Sequence, residues 1–230
     1  MQRDDPNSPA NAPHAADAAD PWRAAYLRFE TPEQEIRKFI RRLQRIGESA
    51  WSRDARIVEL FCGRGGGIDA LARLGFTRLH GLDISWQLAS LHDDADRIAV
   101  ADCRHVPFAA RSMDIAIVQG GLHHLPELPG DLDRTVAEVA RILAPGGRFV
   151  AVEPWRTPFL DAVHLLSEQR LARRAWPRLD ALATMIAHER DTYTAWLNQP
   201  ALVLAVLRRH FPDCTVRIGM GKLTFVGVRG

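Results

Sequence analysis

Three acidic residues lie at or beside the ends of three short apolar segments that have the character of consecutive strands. Glu59 lies in the first segment, Asp83 follows the second and Asp102 follows the third. An acid at the second position can accept hydrogen bonds from both hydroxyls of a ribose, as in adenosine-type cofactor sites. A carboxylate at the third can accept a hydrogen bond from an adenine amino group, and Glu59 suits a cationic ligand such as an ammonium or sulfonium. The alternative is that Asp83 or Ser85 only caps the next helix.

A glycine-rich segment, Cys62-Gly63-Arg64-Gly65-Gly66-Gly67, follows the first apolar segment. Glycine allows a ligand to approach the backbone closely and adopts positive φ at low cost. By itself this loop fits a dinucleotide site, a methyl-donor site or a tight turn. The spacing Gly65-x-Gly67-x-x-Ala70 matches the dinucleotide pattern, but it begins several residues beyond the strand end. The carboxylate of Glu59 also disfavours a pyrophosphate, because both are anionic.

Two adjacent histidines, His123 and His124, follow the fourth apolar segment, at the sheet edge where a substrate would lie. Imidazole titrates near neutral pH, so either ring can act as a general base; the alternative is a structural or helix-capping role. Four residues of the flanking helical segments are candidates for contact with a substrate: Tyr26, Trp155, His188 and Tyr193. Packing in the core is the alternative for the tryptophan. No spacing of His, Asp or Glu resembles a known metal-ligand set, so no metal is predicted.

An alternation of strands and helices positions these side chains. Strands are predicted at 56–61, 77–82, 97–101, 113–119 and 147–153, and helices at 66–74, 85–93 and near 131–143. Apolar runs such as Ile115-Ala116-Ile117-Val118 are typical of parallel strands that are covered on both faces. The pattern predicts an α/β fold, a doubly wound Rossmann-like sheet of seven mostly parallel strands. Its last two strands, 214–219 and 222–228, form an antiparallel hairpin.

The chain divides into five predicted parts. Residues 1–20 carry almost no large apolar side chain and are expected to form a disordered tail. Residues 21–50 are predicted to be N-terminal lid helices, and Thr31-Pro32-Glu33-Gln34 has the pattern of a capping box. Residues 51–154 form the cofactor-binding core. Residues 155–210 break the alternation and are predicted to be a lid of two or three helices, and 211–230 are the closing β-hairpin.

Composition excludes several classes of protein. The 230 residues include 30 basic and 28 acidic side chains, for a net charge of +2, which provides no global field for nucleic acid or membrane. The three cysteines form no CxxC pair, so a reducing compartment is expected. The first residues lack the apolar segment of a secretory signal, and no run is long enough to span a bilayer. We therefore expect a cytoplasmic protein with no integral membrane association; the sequence does not indicate its oligomeric state.

Several motifs together resemble class I S-adenosylmethionine-dependent methyltransferases. The segment 57–65 resembles their motif I, Gly81-Leu82-Asp83-Ile84-Ser85 their ribose-binding motif, and Asp102-Cys103 their adenine-side segment. The segments 121–125 and 143–149 are similar to later motifs, so the resemblance covers about 56–154. Two residues depart from the pattern. Phe61 stands where these enzymes often have their first glycine, and Gln119 stands where an acid more often opens the fourth motif.

The resemblance implies S-adenosylmethionine as cofactor. It implies that Glu59, Gln119 and the loop residues face the methionine part, that Asp83 binds the ribose, and that Ile84 packs on the adenine. The full set of cofactor-binding residues that it implies is Glu59, Phe61, Cys62, Gly63, Gly65, Asp83, Ile84, Asp102, Cys103 and Gln119.

The predicted function is methyl transfer to an oxygen or carbon, less readily a nitrogen, of a small-molecule acceptor by in-line displacement. Nucleic acid is not predicted as the acceptor, because Gln119-Gly120-Gly121-Leu122-His123 replaces the Asn/Asp-Pro-Pro-aromatic loop of base-methylating enzymes. Three alternatives remain open at this stage: a protein or RNA methyltransferase, a non-catalytic interaction subunit with the same fold, and a nicotinamide oxidoreductase.

Overall fold

The computed structural model describes residues 20–230, which contain one seven-stranded sheet with helices on both faces. All of the predicted tail except Asp20 lies outside the described residues. In chain order the strands are β1 (Arg56–Leu60), β2 (Arg78–Asp83), β3 (Ile98–Val100), β4 (Met113–Gln119), β5 (Leu143–Pro154), β6 (Asp213–Gly219) and β7 (Lys222–Val228).

The sheet has the order β3-β2-β1-β4-β5-β7-β6. The first five strands in this order are parallel, and β7 pairs antiparallel with both β5 and β6. The chain order reverses between β1 and β4, which makes the carboxyl ends of these two strands the switch point where open α/β sheets bind ligands. The predicted fold class is confirmed.

The α-helices of the described chain are α1 (Pro21–Phe29), α2 (Pro32–Ile46), α3 (Gly66–Arg73), α4 (Trp86–Ala89), α5 (Gly130–Ile142), α6 (Pro158–Glu168), α7 (Arg170–Ala175), α8 (Pro177–His188), α9 (Arg190–Asn198) and α10 (Pro200–His210). Short 3-10 turns cover Glu48–Ala50, Ala95–Arg97 and Leu122–His124. The segment between β5 and β6 therefore holds five helices, more than the two or three predicted.

Helix α2 is part of the core and not of the lid. It begins at the predicted capping box, in which the Thr31 hydroxyl accepts from the Gln34 amide and the Gln34 side chain accepts from the Thr31 amide. Its apolar face places Leu43 in one buried cluster with Ile57 of β1 and Leu71 of α3. The predicted lid of residues 21–50 is therefore reduced to α1.

The opposite face of the sheet is covered by α5 and α10. Val139 of α5 and Leu207 of α10 share a buried cluster with Phe149 and Phe225 of the sheet. Because α10 is packed into this core, the lid within residues 155–210 consists of α6–α9. Helix α1 joins that lid: its Ala25 packs with Ala181 and Met185 of α8.

No helix within residues 20–230 combines the length and the apolar character needed to cross a membrane.

Candidate active site

A cavity of about 950 Å³ lies at the carboxyl ends of β1, β2 and β4, beneath α1, α6, α8 and α9. This volume is at the upper end of the range of about 300–1,000 Å³ for single-ligand pockets, so it has space for a cofactor beside a second small molecule. Most of the predicted cofactor residues line it: Glu59, Phe61, Cys62, Gly63, Asp83, Ile84, Asp102, Cys103 and Gln119.

Glu59, near the end of β1, is buried with one carboxylate oxygen unpartnered. Oε1 accepts from Gln119 Nε2 at 3.0 Å, whereas Oε2 has no hydrogen-bond partner within the described chain. Burial, opposed by the Gln119 hydrogen bond, raises the pKa of Glu59 to about 8. Gly67 makes room for this carboxylate, because a Cβ there would lie 2.1 Å from either oxygen. This carboxyl therefore holds its proton at neutral pH in the unliganded protein, and a cationic ligand would favour the carboxylate and pair with the unpartnered oxygen.

Gln119 links Glu59 to α2. Its Oε1 accepts from the Arg42 guanidinium at 3.0 Å while its amide nitrogen donates to Glu59. An acid at position 119, which the resemblance favours, would leave Glu59 without this donor. The glutamine at position 119 therefore suits this protein, because it completes a hydrogen-bond chain from Arg42 to Glu59.

The loop after β1 needs left-handed backbone at two cavity residues. Phe61 has φ 56° and Gly63 has φ 55°. This conformation explains why glycine is common at the position of Phe61, since it costs a residue with a Cβ about 1–2 kcal/mol. The Phe61 ring lies over Gly121, where an added Cβ would be 2.3 Å from it.

Gly65, also a predicted cofactor residue, is not among the residues that line the cavity. It is the N-cap of α3 with φ 84°. The His92 ring packs so closely over Gly65 that an added Cβ would lie 2.2 Å from the ring. Gly65 therefore allows α3 to begin with a left-handed residue and leaves space for the His92 ring.

Asp83 holds the loop after β1 against the loop after β2. Its Oδ2 accepts from the Gly63 amide at 2.7 Å, and its Oδ1 accepts from the Ser85 amide at 2.8 Å. Each oxygen keeps a second lone pair for a ligand hydroxyl. Ser85 itself is the N-cap of α4, so the capping role considered for Asp83 belongs to Ser85. Ile84 exposes 70% of its surface at the cavity, as expected of a side chain that packs on a ligand ring.

Asp102 and Cys103 line the cavity beyond β3. Both oxygens of Asp102 accept from the Arg104 guanidinium, at 2.7–3.0 Å, and this interaction lowers the pKa of Asp102. An adenine amino group would therefore share Asp102 with Arg104. The Cys103 thiol is buried and lies 3.7 Å from the Thr135 hydroxyl.

His123 is held by a buried carboxylate that the sequence analysis missed. Its Nδ1 lies 2.7 Å from Oε2 of Glu153, and the other oxygen of Glu153 accepts from the amides of Gly121 and Leu122 at 2.9 Å. Burial lowers the pKa of His123. Burial also opposes ionisation of Glu153, but His123 and the amides of Gly121 and Leu122 together outweigh it and lower the pKa of Glu153. The pair is therefore a carboxylate bound to a neutral imidazole whose Nδ1 carries the proton and whose Nε2 is a free base. Glu153 had one signal in the sequence: an acid within an apolar strand, as at Glu59.

His124 forms an ion pair with Glu189, whose other carboxylate oxygen lies 4.0 Å from His123 Nε2. Its Nδ1 lies 2.8 Å from Glu189 Oε2, which also accepts from the Trp22 indole at 3.1 Å. Burial opposes protonation of His124, but Glu189 outweighs it and raises the pKa of His124. Within the described chain, ligand atoms of His123, His124 and Glu189 lie within 4.8 Å of one another, a geometry that a metal ion could use. Because His124 and Trp22 both donate to Glu189 Oε2, this oxygen has no lone pair left for a metal ion. We therefore interpret the three residues as a hydrogen-bonded network that carries a proton.

The four predicted substrate contacts separate into two pairs. Tyr26 and Tyr193 line the cavity; the Tyr26 hydroxyl donates to Glu35 at 3.0 Å. Trp155 is buried in the core against Trp196, with ring centroids 6.4 Å apart, and His188 is exposed on the outer side of α8. Neither lines the cavity. Glu189, the residue after His188, does line the cavity.

The lid supplies the remaining wall, which is mostly apolar. Its lining residues from α6 and α8 are Phe159, Leu160, Val163, Leu182, Met185 and Ile186.

Comparisons with known proteins agree with this geometry. Residues 58–151 match the family model described as "Methyltransferase domain". A sterol 4-C-methyltransferase of Caenorhabditis elegans is 28% identical over 48% of this chain and 34% of its own length. A dimethylglycine N-methyltransferase of Parasynechococcus marenigrum is 31% identical over 58% and 53%. The chain thus spans about a third to a half of these two relatives. The crystal structure of PH0226 from Pyrococcus horikoshii has a TM-score of 0.64 at 18% identity, covering 89% of this chain and 98% of that one.

Proposed function

We propose that the chain is a class I S-adenosylmethionine-dependent methyltransferase that methylates a small molecule, a proposal supported by the match of residues 58–151 to the family model described as "Methyltransferase domain". The acceptor atom is an oxygen or a carbon, and nitrogen is less favoured. The single observation that carries this proposal is the cavity itself. It has the unpartnered oxygen of Glu59 and the ribose-binding candidate Asp83 on one side, and the neutral imidazole of His123 on the other.

The residues around Glu59 fit S-adenosylmethionine. The buried Glu59 oxygen lacks a donor, Asp83 has spare lone pairs at the ribose position, and the exposed Ile84 offers an apolar face to a purine. The cofactor supplies a methyl group already activated on a sulfonium. What the protein adds is the position of the acceptor and the exclusion of water.

His123 is proposed as the general base. Its Nε2 takes the proton of the acceptor O–H or C–H, and the electron pair so freed forms the new bond to the methyl carbon as the carbon–sulfur bond breaks toward sulfur. Glu153 holds Nδ1–H and stabilises the imidazolium formed. His124 has its Nδ1 committed to Glu189 and is assigned to the lid contact.

A small molecule is favoured over a macromolecule by the cavity's position beneath four helices. The sterol and dimethylglycine named for the relatives are small molecules as well. The cytoplasm remains the proposed location, in accord with the free thiols of Cys62, Cys103 and Cys214.

Calorimetry with S-adenosylhomocysteine, S-adenosylmethionine and NADH tests the donor half. We expect both sulfur compounds to bind with one-to-one stoichiometry and NADH not to bind. Binding of NADH alone would replace this proposal with an oxidoreductase. Binding of none of the three would favour the non-catalytic interaction subunit.

The substitution His123→Gln tests the base, in an assay that measures S-adenosylhomocysteine release with the first acceptor found to be turned over. We expect kcat to fall by about 10²-fold or more, because a positioned base contributes 10²–10⁴. The affinity for S-adenosylhomocysteine should stay unchanged. Full activity would return His123 to a structural role.

A further inference from the structure

Lys222 places a positive charge in the cavity without a counter-ion from the protein. The residue begins β7, directly opposite Pro154 at the end of β5, and both line the cavity. Within residues 20–230, no carboxylate lies at salt-bridge distance from its ammonium group.

The carboxylates near Lys222 are already committed to other groups. Glu30 binds Lys38 with one oxygen and Arg178 with the other. Glu153 is saturated by His123 and two backbone amides. Lys222 is exposed at the cavity and has no ion-pair partner within residues 20–230, so its ammonium group is available to an anionic ligand there.

We call the part of the cavity around Glu59, Asp83 and Asp102 the donor half, and the part around His123 and the lid helices the acceptor half. The position of Lys222 assigns that ligand to the acceptor half. Arg42 is tied through Gln119 to Glu59, at the methionine end of the donor half. Lys222 lies beyond Pro154 on the neighbouring strand, where the Gly221 α-carbon faces Leu160 of α6. The wall beside it is thus the apolar surface of α6 and α8.

We propose that the acceptor is an apolar molecule that carries an anionic oxygen group, such as a carboxylate or an ionised phenol or enol, and that Lys222 binds this group. The inference rests on the proposed function, since it names the class of acceptor that the same cavity takes. An ammonium group paired with an anion gives a charge-assisted hydrogen bond, and the apolar wall binds the rest of the molecule.

A matched pair of fluorescent probes tests this: 8-anilinonaphthalene-1-sulfonate, an apolar anion, and N-phenyl-1-naphthylamine, the same skeleton without the sulfonate. Both are titrated into the full chain saturated with S-adenosylhomocysteine, whose binding is first measured by calorimetry. We expect Lys222→Gln to weaken the anion about tenfold, the effect of one charged hydrogen bond, and to leave the neutral probe unchanged. Lys222→Arg should restore most of the anion affinity.

Two further variants complete the design. Arg217→Gln removes a charge from an exposed position on β6, outside the cavity lining, and should change neither probe. Arg23→Gln removes a different cavity-lining cation, on α1. Loss of anion binding in Arg23→Gln and not in Lys222→Gln would overturn the proposal.

The remaining outcomes are also decisive. Equal weakening of both probes by Lys222→Gln, or failure of the anion to bind the chain saturated with S-adenosylhomocysteine, would overturn the assignment to the acceptor half and leave the proposed function standing. Failure of S-adenosylhomocysteine to bind would overturn the proposed function, and this inference with it.

Discussion

The donor half and the acceptor half of the cavity are built in different ways. The donor half uses the ends of neighbouring strands, and its contacts join residues that the sheet pairing brings together: Asp83 binds the Gly63 amide and Gln119 binds Glu59. The acceptor half is closed by contacts such as that of Trp22 with Glu189, 167 residues apart. The sheet register fixes the first set, whereas the second forms only once α1 packs on α8.

This difference predicts which half of the cavity tolerates substitutions and which half determines specificity for the acceptor. Backbone amides and strand ends hold the donor half, so its geometry changes little when a lid side chain changes. The lid has few buried residues: α6 buries only Ser167, and α7 buries none. Elements with so little buried apolar surface open at low free-energy cost. The acceptor half is therefore where we expect specificity, and where single substitutions should act on KM more than on fold.

The largest expected effect is at Glu153, which joins the two halves. In Glu153→Gln the amide nitrogen would face His123 Nδ1, so that Nδ1 accepts and the proton moves to Nε2, where it blocks the base. We expect kcat to fall by about 10²-fold or more, as for other wrong-tautomer substitutions. The affinity for S-adenosylhomocysteine should be unchanged.

The matched control is Glu127→Gln, an exposed acid that does not line the cavity. A pH profile of kcat tests the protonation state of His123 directly. Since burial lowers the pKa of His123, wild-type kcat should stay constant from neutral pH to below pH 6.5. An acidic limb above pH 7 in the wild type would contradict a neutral His123.

The sequence predicted the donor half because its signals are local. An acid at the end of a predicted strand must lie at the cavity edge, so Glu59, Asp83 and Asp102 could be placed without coordinates. In the acceptor half the same signal was present only at Glu153, which ends the predicted strand 147–153. Trp155 and His188 were chosen as aromatic or titratable side chains in a helical segment, but helical spacing does not tell whether Trp155 faces the core or His188 the solvent. Glu153 was missed because its partner is fixed only by the pairing of β4 with β5.

The next largest effect is expected at Asp83. Asp83→Ala should weaken S-adenosylhomocysteine binding by about 1–3 kcal/mol, the cost of a missing buried partner, which is about 5–150-fold in the dissociation constant. Asp83→Asn keeps one carbonyl oxygen and should lie between the alanine variant and wild type. The exposed Asp93 offers a control substitution, Asp93→Ala. An unchanged dissociation constant in Asp83→Ala would contradict the assignment of the ribose to this residue.

A moderate effect on stability is expected at Glu59. The pKa of this buried carboxyl is raised from 4.5 to about 8, so the folded state loses stability as pH rises from 4.5 through about 8, where ionisation is forced on a dehydrated group. Glu59→Gln resembles the protonated form and does not titrate. The unliganded variant should match wild type in melting temperature near pH 5 and exceed it by about 3 °C or more at pH 8.5. An equal difference at both pH values would show that Glu59 does not titrate in this range.

The smallest expected effect is at Trp22, and it tests whether the lid can be changed without disturbing the donor half. Trp22→Phe keeps an aromatic ring stacked on Tyr26 but removes the N–H that binds Glu189, one of two donors to that oxygen. Because the His124 ion pair remains, we expect the KM of the acceptor to rise only about two- to fivefold, the effect of one neutral donor. The affinity for S-adenosylhomocysteine and the melting temperature should stay at wild-type values. If donor affinity fell as much as acceptor affinity, α1 would belong to both halves, and the division between a donor half built by the sheet and an acceptor half built by the lid would fail at this helix.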